Sequence, residues 1–151
     1  MLEHVIGFHD ALLLVPLGLK PDRPPDDPQQ RWVQTFDQLQ VALSRKDLYE
    51  RVIEVPAVHH NAATRIDLRR LLPRLTQDAL VHTWDLATAV GTNNRLDPEW
   101  CEMFLSRLPQ DPEALTASGM FARSIAVADD ADTQARLLAR LGRNPSWRPA
   151  Q

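Results

Sequence analysis

Apolar residues recur at helical spacing along most of this chain. From Pro28 the positions Trp32, Val33, Phe36, Leu39, Val41, Ala42 and Leu43 fall mostly three and four apart, which predicts an amphipathic helix with one buried stripe ending near Ser44. A longer pattern over residues 66–90 predicts a second helix, with Pro73 either kinking it or beginning its main part and Gly91 stopping it. Shorter helices are expected from Pro98 to Leu108, around residues 112–118, and over "TQARLLARLG", where Asp132 caps and Gly142 stops. Local chemistry marks three of these starts. Asp27-Pro28, Asp97-Pro98 and Asp111-Pro112 each supply a capping oxygen, followed by a residue whose missing N–H costs nothing in the first helical turn.

Period-two patterning is scarce. "LYERVIEVPAV", residues 48–58, is rich in β-branched residues and reads as a short extended segment; "HHNAA" after it reads as loop, and "SIAVADDAD" as extended. The expected fold class is therefore all-α. At the amino-terminal end, Leu2, Val5, Ile6, Phe8, Ala11, Leu12, Leu13 and Val15 already follow helical periodicity, yet no Ser, Thr, Asp or Asn precedes them to cap the first turn. The chain reads as starting inside a helix, which Pro16 limits to about four turns.

Composition narrows the function classes. A length of 151 residues fits one domain, 1–151, and a formal charge of −3 with both signs interspersed gives no electrostatic footprint for nucleic acid or an anionic membrane. The single cysteine, Cys101, excludes an intramolecular disulfide and a cysteine-rich zinc cage, and its expected role is that of a small buried hydrophobe. With no cleavable signal and no apolar run of membrane-spanning length, a reducing cytoplasm is the simplest compartment. Trp84 and Trp100 read as core residues.

The candidate chemistry lies in "QDALVHTWDLATAVG", residues 77–91. Asp78 and His82 are four apart on regular helix beyond Pro73, so their side chains share a face one turn apart, close enough to hold one divalent ion. Such a pair is more often simply a hydrogen-bonded polar pair, and a catalytic zinc takes three protein ligands with one position open. A third ligand from another helix is needed, and His4, His9, His59 and His60 are the candidates. His4 and His9 are five apart, roughly 140° around a helix, so both cannot face one ion unless the helix is distorted.

"DALVHTWDLATAVG" resembles a helix of actinobacterial proteins related to mycothiol-dependent maleylpyruvate isomerase, within the DinB-like superfamily of four-helix-bundle metalloproteins. The shared pattern is an acidic residue, three residues, His, any residue, then Trp-Asp-Leu-Ala. "LEHVIGFHDALLL" is similar to the family's earlier ligand-bearing helix, and "SIAVADDADTQARLLARLGRNPSW" to its closing segment of acidic loop, short helix and Gly-Arg-Asn-Pro. The resemblance implies a single DinB-like metal-binding domain with a short carboxyl-terminal helical extension, and a divalent metal, zinc in the first instance, on His4, Asp78 and His82. One carboxylate and two neutral imidazoles would leave zinc with a net charge of about +1 and an open position, which lowers the pKa of a bound thiol or water. The implied activity is a thiol-dependent S-transferase or isomerase, in which a low-molecular-weight thiol such as mycothiol attacks an electrophilic substrate. Two alternatives stay open: a metal-dependent hydrolase at the same site, and a non-catalytic truncated module for binding or oligomerisation. Asp85 lies within helical reach of His82 and could orient its ring.

Relatives carry a helix and a Trp-containing turn ahead of the segment that here follows Met1. The expectation is thus a bundle lacking its first helix, with Leu2, Ile6, Leu13 and their neighbours left in water and buried in a homodimer.

Overall fold

The computed structural model describes residues 1–55, 62–117, 119 and 121–149; the reading of His59 and His60 as loop falls outside them. In chain order, α1 (Leu2–His9) continues into one stretch of π-helix (Asp10–Leu14), and α2 (Pro28–Leu43) is followed by a 3₁₀ turn (Leu48–Glu50). Strands β1 (Val52–Val55) and β2 (Thr64–Asp67) then precede α3 (Leu68–Ala89), α4 (Pro98–Arg107), α5 (Pro112–Ala117) and α6 (Thr133–Arg140). The described residues are mostly helical, with one two-stranded sheet. No helix among them is long and apolar enough to cross a membrane.

The predicted caps are in place. Asp27 accepts from the Gln30 N–H at 2.8 Å, Asp97 Oδ1 from Glu99 and Trp100 at 2.9 and 3.1 Å, and Asp132 from Ala135 at 2.7 Å. At the other ends, Gly91 and Gly142 adopt φ of 70° and 77°, closing α3 and α6 with the paired backbone bonds of a left-handed stop. Gly142 is fixed twice over, because a Cβ there would lie 2.7 Å from Ala122. As expected, no side chain caps α1, whose N-cap position is Met1. Pro73 lies inside α3, in its second turn, where the Arg69 carbonyl loses its intrahelical donor.

Several sequence expectations need correction. Ile66 and Asp67, where the helical pattern begins, belong instead to β2, which pairs antiparallel with β1, Ile53 opposite Ile66 and Val55 opposite Thr64. Backbone pairing with β1 outweighs local propensity there, and the helix begins at Leu68. "SIAVADDAD", expected to be extended, joins no strand: Ile125 donates to the Ala139 carbonyl of α6 at 2.9 Å, and Asp129–Asp130 form a turn. Trp100 is 45% exposed, its ring stacked on Phe104 with centroids 5.7 Å apart, whereas Trp84 is buried as expected. Lastly, Ile6 and Leu13 are only 2% and 1% exposed and Leu2 is half-buried, so the face of α1 expected to be bare is covered. The stripe of α2 expected to be buried is in turn largely uncovered, with Val33, Phe36, Val41 and Leu43 exposed.

Two compact units divide the chain, Met1–Ala79 and Leu80–Gln151, and α3 runs unbroken through the division. The first unit's core gathers Leu13, Leu14, Ala42, Leu48, Ile53 and Leu71 from the π-helix, α2, the 3₁₀ turn, β1 and α3. α1 packs on α2 in this unit, and a two-pronged ion pair from Arg31 to Glu3, at 3.0 and 2.6 Å, ties them. The second unit's core joins Val81, Cys101, Phe104, Leu115 and Leu137. Burial, with the charges of Asp97 and Asp132 adding to it, pushes the Cys101 thiol above its ordinary range, which suits an inert packing residue.

Candidate metal centre

The amino-terminal helix and α3 bring the predicted ligand set together. On α3, Asp78 and His82 are one turn apart and both half-buried; His4 projects from the first turn of α1 and is exposed. One ligand atom from each of the three lies within 4.8 Å of the others. Ligands at about 2.1 Å on one tetrahedral ion stand about 3.4 Å apart, so side-chain rotations of about an ångström suffice to close the set. Two nitrogen donors and one carboxylate oxygen form the mixed set that suits zinc and similar divalent ions. The residues therefore fit such an ion.

His9, the other candidate near the amino-terminal end, is not brought in. It is buried, and its Nδ1 meets the Val5 carbonyl at 2.8 Å, a bond back along its own helix. The π-helix widens the turn only from Asp10 onward, too late to swing His9 round to the side of His4. His4 is held differently, its ring stacked on Phe8 with centroids 6.0 Å apart and planes 10° from parallel. His59 and His60 lie outside the described residues.

A hydrogen-bond relay stands behind His82. Its Nδ1 meets Asp85 Oδ2 at 2.9 Å, and the same oxygen accepts from Arg143 Nη2 at 3.3 Å. A carboxylate only accepts, so Nδ1 is the donor and the lone pair of the neutral ring sits on Nε2, the tautomer a metal requires. Arg143 is itself fixed by a 3.0 Å bond from Nη1 to the Leu141 carbonyl. Asp85 was legible from helical spacing, as a residue in reach of His82. Arg143 was not, because 61 residues separate it from His82 in the sequence; its only signal was its place in the "GRNP" closing stretch. Asp85→Ala is expected to weaken metal affinity roughly 10- to 100-fold, the cost of losing a ligand's outer hydrogen-bond partner, while Asp85→Asn, which keeps an acceptor for Nδ1, recovers most of it. Titration with a competing chelator reads both; equal affinities in Asp85→Ala and the unaltered chain would remove Asp85 from the centre.

Compared with known proteins, the chain matches no protein-family model, no curated protein and no solved structure.

Proposed function

We propose that His4, Asp78 and His82 hold a divalent metal, zinc in the first instance, and that the chain is a DinB-like helical protein acting as a thiol-dependent S-transferase or isomerase. The observation that carries the metal reading is that ligand atoms of these three side chains lie within 4.8 Å of one another, although His4 is more than seventy residues from Asp78 and His82 in the sequence. The enzymatic reading rests on the resemblance to the mycothiol-dependent isomerase family. It requires a compartment supplied with a low-molecular-weight thiol, for which a reducing cytoplasm is the natural choice.

When bound, the ion would supply Lewis acidity, lowering the pKa of a coordinated thiol or water. The chain's own residues set the conditions. Asp78 contributes a single negative charge, so the centre keeps net positive charge to attract an anionic sulfur. Asp85, itself bonded by Arg143, orients the ring of His82 through Nδ1, so that Nε2 is the atom that would meet the ion. The exposed position of His4 gives small molecules access from solvent. Buried Cys101 is removed from the chemistry, so the nucleophile would be supplied by a free thiol.

Zinc offered to the metal-stripped chain at neutral pH should be taken up to about one equivalent, and the loaded protein should accelerate conjugation of mycothiol to a fluorogenic alkyl bromide. Uptake below about one-tenth equivalent would overturn the metal reading and leave a binding or oligomerisation module. Uptake with hydrolysis of an ester probe independent of thiol would replace the transferase by a hydrolase.

A further inference from the structure

The solvent-facing side of α2 carries a repeat of its own. Val33, Phe36 and Leu43 are 48%, 48% and 51% exposed, while Thr35 and Ala42 on the opposite side are buried. Together with exposed Gln40, the three occupy positions i, i+3, i+7 and i+10, the a and d positions of a heptad. This is the narrow seam by which one helix packs along another, with one polar residue in it of the kind that fixes register.

We infer that a second copy of this chain covers the seam, the two α2 helices packing antiparallel about a two-fold axis. Antiparallel pairing sets a positions against d positions. Val33 then meets the partner's Leu43, and Phe36 meets the partner's Gln40, whose methylene stem can lie on the ring while its amide stays in water. A single patch satisfies itself in this way, as a two-fold interface requires. Charge selects the same direction. Exposed Asp26 and Asp27 stand at the amino-terminal end of α2, and Arg45 and Lys46 at its carboxyl-terminal end, while the neighbouring Asp47 is already paired with Arg51 at 2.8 Å. Antiparallel helices bring the acidic end of each to the basic end of the other and oppose their macrodipoles; parallel helices would stack like charges. The seam spans about three turns, so it buries less than the roughly 800 Å² per partner of a standard interface, and the association is correspondingly weak. The inference does not depend on the metal reading.

Sedimentation velocity of the full chain from about 5 to 500 µM should show a monomer passing to a dimer, with half-dimerisation at roughly 10–500 µM, as for small interfaces. Phe36→Glu should raise the dissociation constant at least about tenfold with helix content unchanged by circular dichroism, because the position is solvent-exposed in the single chain. Val15→Glu, equally exposed but off the seam, should leave association as it was. Orientation is read by mild oxidation: Val33→Cys chains mixed with Leu43→Cys chains should form the mixed disulfide, buried Cys101 taking no part. A monomer at every concentration, or equal disruption by Val15→Glu, would overturn the interface, and self-crosslinking of Val33→Cys alone would overturn the antiparallel arrangement.

Discussion

Replacing Asp78 or His82 by alanine is expected to lower zinc affinity by more than the roughly 10- to 100-fold that loss of Asp85 costs, since a ligand is removed rather than the group that orients one. His4→Ala should have the smallest effect of the three ligands, because His4 is exposed and held on an uncapped first turn by its stack on Phe8. Helix content should barely change in any of these variants, for each ligand lies outside the two cores, which are built from leucine, valine, isoleucine, phenylalanine and alanine side chains together with Cys101. Isothermal titration with zinc against a competing chelator gives the ranking directly. Unaltered affinity in both Asp78→Ala and His82→Ala would eliminate the ligand set, whatever the activity of the chain.

A larger effect on stability is expected at a pair that plays no part in the metal centre. Asp10, in the π-helix, accepts two parallel hydrogen bonds from Arg23, both at 2.7 Å, with the two side chains only 12% and 4% exposed respectively. Asp10→Ala would strand the Arg23 guanidinium in a site where its Nε is already buried without a protein acceptor. Removing one partner of such a pair costs about 3–5 kcal/mol, a large fraction of the stability of a domain of this size. Changing both, as Asp10→Leu with Arg23→Met, should restore much of it, since the desolvation of two charges disappears together with their attraction. Urea denaturation of these two variants beside the unaltered chain tests this; a loss under about 1 kcal/mol in Asp10→Ala would mean that water reaches the guanidinium in the folded chain.

Of the candidate site, the sequence disclosed what depends on spacing within one helix. Asp78, His82 and Asp85 are separated by four and three residues on a helix whose stop, Gly91, is equally local, so their common side follows from helical geometry alone. Spacing leaves His4 and His9 equal as third ligands, and packing separates them: Val5 and His9 are buried and His4 is exposed. Arg143 was marked only by its place in "GRNP", and its bond to Asp85 exists only once the closing segment folds back.

What the sequence determined by itself was the set of helices and, apart from the start of α3, their ends. Asp caps, proline at the first helical position and glycine stops act through neighbours within about five residues, and such contacts form whatever the rest of the chain does. Tertiary structure decided everything that depends on which face meets which. Apolar spacing marked α2 as amphipathic but could not say which of its apolar residues would be covered; Thr35 and Ala42 turned inward while Phe36 and Leu43 stayed in water. Patterning extended a helix into residues that pair instead as β2, since a strand is stabilised by hydrogen bonds to a distant segment, which no local window contains. Nothing local sets Asp10 and Arg23 apart from the chain's other charges, and only the fold buries them together.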